Sequence, residues 1–365
     1  MEKKFDWKTL FFIFPFLILL TISLLINYHA AFITELYENH FEKQMLWIGI
    51  GFALLFFMRF VPIRLFFKYS FYLYLINVLL LILVLFIGKD INGAKAWIDL
   101  KYFNFQPSEF MKISYSLYLA SLCARKKFYS WKEEVKFLLY VLVIFAIPSL
   151  FVFLEPDTGA ILFYFFITIV LLWNSRLHKR WLIIIGFLAL ACICGFFYLY
   201  FWQKDLLISL IGTTFFYRVE RLFSLGTGMQ IENALIAIGS APLWRFSLTE
   251  TGIYIPEAPT DFAFALTSNV LGIGGNILIL LAFLILDFYF ISYRKKIRKK
   301  EYQLFLDAFL VIFLLSQIIN ISMNLGIFPI IGIPLPFISY GGSSTIVLFI
   351  YLAILFQTTK KKKIT

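Results

Sequence analysis

The sequence predicts an all-α integral membrane protein with about ten transmembrane helices and both termini on the cytoplasmic side. Three observations carry this. The 365 residues are 61% hydrophobic and 20% aromatic with only 15% charged, far from a soluble average. Apolar runs of spanning length recur along the chain. Basic residues collect between alternate runs, as the positive-inside bias of insertion requires.

The runs fall at roughly 9–27, 45–62, 69–88, 108–124, 135–154, 157–173, 181–202, 262–292, 303–323 and 343–358. No small-residue cleavage site follows Ile26 before the polar Asn27–Gln44 stretch, so the first run is expected as a retained helix. With the N-terminus inside, the cytoplasmic side collects Lys3, Lys4 and Lys8, Arg125 to Lys127, Arg176 to Arg180, Arg294 to Lys300 and Lys360 to Lys363. Nearly three quarters of the 33 Lys and Arg lie there. The net charge of +12 is therefore a topology signal, and nucleic acid is not an expected partner. The chain is expected to form one polytopic membrane domain over 1–365.

Cys123, Cys192 and Cys194 sit in apolar runs without metal spacing, and His29, His40 and His178 are scattered. No Walker loop, dinucleotide fingerprint or G-x-S-x-G elbow is present, and no organic cofactor is expected. The expected outer connections are long at 89–107 and 203–261, and ordered loops of that size usually carry function.

The motifs lie on that outer side. In Asn92–Ile98, Trp97 is either an interface anchor or a sugar-stacking ring, with Lys95 beside it as a phosphate ligand. In Gln106–Lys112, Ser108 suits an N-cap, while Glu109 and Lys112 share a helix face. They form a pinning ion pair or a functional pair at membrane depth. In Glu155–Gly159, Asp157 caps a helix or helps Glu155 hold a divalent cation or a basic partner. Arg218, Arg221 and Arg245 are the arginines of the long loop, solvated or gripping a pyrophosphate. In Pro256–Leu266, Thr260 or Asp261 caps the next helix, or the Asp261 carboxylate is a catalytic base whose pKa rises on burial. Finally, Gly332–Ser344 places Pro334, Pro336, Gly341 and Gly342 around Ser339 and Tyr340. Such broken backbone beside a span reads as the wall of a site.

Taken in order, these five motifs resemble the SEDS family of shape, elongation, division and sporulation proteins (RodA, FtsW and SpoVE). The opening Phe5-Asp6-Trp7 is more similar to RodA members. The resemblance implies a glycosyltransferase that polymerises lipid II into undecaprenyl-linked glycan outside the membrane. It also implies a class B penicillin-binding protein as partner, with other elongation or division proteins. It puts the essential aspartate at Asp261 and other motif residues at Trp97, Glu109, Lys112 and Asp157. Pro259 stands where the family has His, Asn269 and Val270 where paired glutamates are usual, and Gly239–Phe246 where a glycine-rich stretch with a lysine is usual. Arg245 is the expected replacement for that lysine.

The expected chemistry is inverting transfer, with Asp261 as general base and Lys112 or the loop arginines meeting the leaving pyrophosphate. Mg2+ or Mn2+ is the candidate assisting ion. The competing expectations are a lipid II flippase and a non-catalytic scaffold. Transport would need a polar path, and the spans offer only Glu109 and Lys112 near one end and Asp287 and Asp307 near the other.

Overall fold

The structure, a computed structural model, describes residues 7–91, 94–101, 103–213, 216, 228–250 and 252–358. Its first half contains α1 (Trp7–Ile33), α2 (His40–Met58), the short α3 (Ile63–Lys68), α4 (Ser70–Ile87), α5 (Pro107–Arg125) and α6 (Trp131–Leu154). Then follow α7 (Thr158–Trp173), α8 (Lys179–Trp202), α9 (Lys204–Ile211), α10 (Met229–Gly239), α11 (Ala263–Arg294), α12 (Lys300–Asn324) and α13 (Gly342–Leu355). Each of the ten expected apolar runs lies on one of these helices. Among the described residues, seven helices are long and apolar enough to cross a membrane, and α7 and α13 are shorter apolar helices. This is a multi-pass membrane protein.

α5 is built differently. It carries Ser108, Glu109, Lys112, Ser114 and Ser116, and it is buried almost all round. Its neighbours are α4, α7, α12 and α13. Its polar groups therefore meet protein rather than lipid, where unsatisfied groups would cost several kcal/mol. The Lys112 carbonyl, for example, accepts from Ser116 Oγ and Tyr351 Oη, both at 2.7 Å. Helix packing in lipid depends on close contact rather than on expelling water. Gly51 on α2 shows this, because a Cβ there would lie 2.3 Å from the Phe349 ring of α13.

The fold class is the expected helical membrane one, with a small antiparallel sheet added to it, formed by β1 (Lys89–Ile91), β2 (Ala94–Asp99) and β3 (Asn104–Phe105). Alternation along β2 buries Ala96 and Ile98 and puts Lys95, Trp97 and Asp99 on the other face. The long connection 203–261 holds α9 and α10, with α10 packed on α11 and α12.

α11 breaks at Gly272, whose φ of 71° is open to glycine, and a Cβ there would lie 2.4 Å from the Pro242 carbonyl. The segment 242–247 satisfies the broken ladder. Arg245 and Ser247 donate to the Leu271 and Val270 carbonyls, and Ile273 and Gly274 donate to Pro242 and Leu243. The Asn269 amide donates to the Ile253 carbonyl at 3.0 Å. Two of the three departures from the resembled pattern, around 241–246 and at 269–270, thus lie against each other as one unit.

Candidate active site

The five motifs converge at the end of the bundle that the charge pattern assigns to the outside. They line one cavity of about 1290 Å³. Its walls come from the sheet, the first turns of α5, α7 and α13, and the segments 256–261 and 329–334.

Asp261 ends a tight turn. The Glu257 carbonyl accepts from the backbone N–H groups of Thr260, Asp261 and Phe262, and the Glu257 N–H donates to Tyr37 Oη at 3.0 Å. Two α12 side chains hold the turn from behind. Asn320 donates to the Asp261 carbonyl at 2.8 Å and Asn324 at 3.0 Å. The second amide hydrogen of Asn320 reaches the Ile333 carbonyl at 2.8 Å, and the Tyr340 N–H donates to the Pro259 carbonyl at 2.7 Å. The 256–261 turn and the 332–340 segment are thereby locked together.

The Asp261 carboxylate has no capping role, because the helix it precedes has no side-chain cap. It lines the cavity instead. Beside it is Gly332, held at φ 63°, where a Cβ would stand 3.7 Å from Oδ2. Burial, and then the negative charge of Glu257, push the Asp261 pKa up to about 7. Glu257 itself has a φ of 57° and accepts from Thr260 Oγ1 at 3.0 Å. A strained backbone at this position is common where geometry serves function.

Glu109 lines the same cavity, and its carboxylate takes the Lys112 ammonium at 2.6 Å. Lys112 lies behind it, 4.4 Å from the Phe163 ring centroid, against a second cavity of about 20 Å³ that also touches Ser339. Both partners are buried, so removing one would strand a charge. Asp157 also faces the large cavity, but its oxygens accept from Ser108 Oγ at 2.8 Å, Gln106 Nε2 at 3.0 Å and the Ala160 N–H at 3.2 Å. It caps α7 and clamps α5. Ser108 spends its hydroxyl on that clamp rather than on a cap. Glu155 is fully buried, both oxygens lack a partner, and burial followed by the Asp157 charge raises its pKa to about 9.

Several candidate binders stand elsewhere than expected. Trp97 and Tyr340 line the cavity, and Tyr340 lies 3.9 Å from the His40 ring centroid. Lys95 does not line it. Ser339 is buried, its hydroxyl accepting from the Leu335 N–H at 2.8 Å. Arg245 pairs with Glu250 at 2.8 Å and is not part of the lining. Arg218 and Arg221 lie outside the described residues. Lys112 faces the small cavity and not the large one. Asp287 accepts from Gln317 at 3.2 Å and Asp307 pairs with Arg294 at 2.9 Å, so neither extends a path from the cavity.

Sequence reasoning missed Asn320, Asn324, Lys43, Lys89 and Lys101. The asparagines, four apart in an otherwise apolar helix, were a visible signal of a polar face turned inward. The lysines gave none, because surface lysines are common on any loop.

The chain is similar to known proteins over nearly its whole length. The model of the FtsW/RodA/SpoVE family, described as cell cycle protein, matches residues 8–364. A probable peptidoglycan glycosyltransferase FtsW of Coxiella burnetii is 33% identical over 322 residues, 84% of this chain and 82% of that protein. Stage V sporulation protein E of Bacillus subtilis is 30% identical over 367 residues, 94% of each chain. The fold matches the rod shape determining protein RodA of Thermus thermophilus with a TM-score of 0.68 at 22% identity, over 98% of this chain and 97% of that one. It matches a chain of a peptidoglycan synthase complex that coordinates polymerization and crosslinking with a TM-score of 0.75 at 23% identity, over 97% of this chain and 98% of that one. On the strength of the family model and these relatives, the chain belongs to the FtsW/RodA/SpoVE family.

Proposed function

We propose that this protein is a peptidoglycan glycosyltransferase that polymerises lipid II at the outer face of the cytoplasmic membrane. The observation that carries this is Asp261: a carboxylate on the wall of a large outer cavity, backed by an asparagine pair and poised near neutral pH. A base works best when its pKa lies near the operating pH. The relatives named as probable peptidoglycan glycosyltransferases support the same substrate class.

In this mechanism Asp261 takes the proton from the 4-hydroxyl of the acceptor GlcNAc. That oxygen forms a bond to the anomeric carbon of the donor MurNAc. The bond from that carbon to the pyrophosphate oxygen breaks, its electron pair leaves with undecaprenyl pyrophosphate, and the configuration inverts. One base and a stabilised leaving group are enough for inversion. Glu109, fixed by Lys112, supplies a second rigid carboxylate on the wall. Asp157 holds α5 and α7 in register so that Glu109 keeps its place.

Among the described residues, no three His, Cys, Asp or Glu side chains gather as a metal cage. A Mg2+ ion would instead be held by one or two lining carboxylates, Glu109 or Glu257, together with the substrate phosphates. Bound so, it would neutralise phosphate charge. Crosslinking in this scheme falls to a class B penicillin-binding protein bound in the membrane, consistent with the synthase complex whose chain shares this fold.

The test is glycan polymerisation from labelled lipid II by the purified protein with its co-expressed partner. Wild type should yield polymer, and Asp261→Asn should lose roughly 10²–10⁴-fold in rate. Equal polymer from both would remove Asp261 from the chemistry.

A further inference from the structure

The cavity is lined by carboxylates and by lysines, and only the carboxylates have a role so far. Among the described residues, the basic side chains that line it are Lys43, Lys89 and Lys101. Of the cations expected to meet a pyrophosphate, the two that lie among the described residues do not line the cavity: Lys112 pairs with Glu109 and Arg245 with Glu250. Among the described residues, a cavity that releases a diphosphate therefore has these three lysines to receive it.

They are placed by local structure. Lys89 lies opposite Trp97 in the β1–β2 pair. Asp99 then fixes two lysines at once, with Oδ2 taking the Lys89 ammonium at 3.3 Å and Oδ1 taking the Lys101 backbone N–H at 2.8 Å. The second bond holds Lys101 at a φ of 68°, a conformation that a lysine rarely adopts. Lys43 comes from α2, one helical turn before Trp47 on the same face, and both line the cavity. The Trp47 ring packs on Phe103 at 5.1 Å, which joins α2 to the sheet. Three cations are thus carried on two braced elements around one cavity.

We propose that Lys43, Lys89 and Lys101 form the subsite that grips the diphosphate of the lipid-linked donor and of the undecaprenyl diphosphate product. This rests on the function proposed above and adds its leaving-group site. A diphosphate carries several charges and acceptor oxygens, and ammonium groups in a walled cavity answer both. A cation beside Asp261 would lower its pKa and weaken it as a base; none of the three lysines is among the charges acting on it.

The experiment measures binding of farnesyl diphosphate, farnesyl monophosphate and farnesol to the purified full chain in detergent. It compares wild type, Lys43→Gln, Lys101→Gln, the double variant, the Lys→Arg counterparts, and Lys204→Gln as a control distant from the cavity lining. Expected are tightest binding of the diphosphate, roughly tenfold loss for each Gln variant, and retention in the Arg variants and Lys204→Gln. Diphosphate binding by the double Gln variant equal to wild type would overturn the proposal. Equal binding of diphosphate and farnesol, pointing to an apolar groove alone, would overturn it too. Because binding is read without polymerisation, the two proposals fail separately. Lysine-dependent diphosphate binding by a protein that makes no glycan would sink the function and keep the subsite. Glycan synthesis with lysine-independent binding would do the reverse.

Discussion

On the cavity wall, Asp261 sits in a turn whose backbone is bound by two buried asparagines, a tyrosine hydroxyl and the 332–340 segment. On the sheet that lines the same cavity, Lys89 and Asp99 form an ion pair with both side chains about half exposed. The carboxylate side is rigid and desolvated, which raises a pKa and prepares a base. The sheet side is wet and adjustable, suited to a leaving group that must arrive and depart. A buried arrangement is costly to disturb, whereas a solvated pair contributes little to stability.

Changes on the rigid side should therefore have the largest effects. Lys112→Ala would leave Glu109 buried without its partner, and a loss of about 3–5 kcal/mol of stability is expected, seen as a lowered melting temperature in detergent. Retention of the wild-type melting temperature would mean that the ion pair is not desolvated. Asn320→Ala removes the amide that joins the Asp261 and Ile333 carbonyls. It should cost about 1–3 kcal/mol and reduce kcat more than KM, because it displaces the base rather than the substrate. An unchanged kcat would show that the turn holds without α12. The smallest effect belongs to the sheet side. Lys89→Gln should leave the melting temperature unchanged within error while raising KM for lipid II, and the rise should shrink in high salt.

Much of this contrast was legible in the sequence, and the reason differs by feature. The helices followed from apolar length, and the rigid side from Asp261 and the proline- and glycine-rich segment after it. The Glu109–Lys112 pair followed from helical spacing, since residues three apart share a face. What spacing could not give was long-range pairing. Asp157 reads equally as a cap or a ligand until Gln106 and Ser108 are brought to it. Ser339 looks like a binder because it lies in the motif, yet its hydroxyl closes its own turn. Arg245 was expected to replace a lysine at the substrate. Instead its backbone caps the break in α11 and its side chain meets Glu250. The small sheet escaped notice because its strands are short and half polar, with a period too brief to stand out among membrane spans.

The most direct measurement is the pH dependence of kcat/KM for lipid II polymerisation, wild type beside Glu257→Gln. Asp261 must be ionised to accept the proton, and its pKa is held near 7, so wild-type activity should fall as the pH drops below about 7. Glu257 raises that pKa by like charge, so neutralising it should move the falling limb to lower pH. A limb near 7 that shifts acidic in Glu257→Gln is the expected result. A limb that does not move, or a profile flat through 7, would contradict Asp261 as the base.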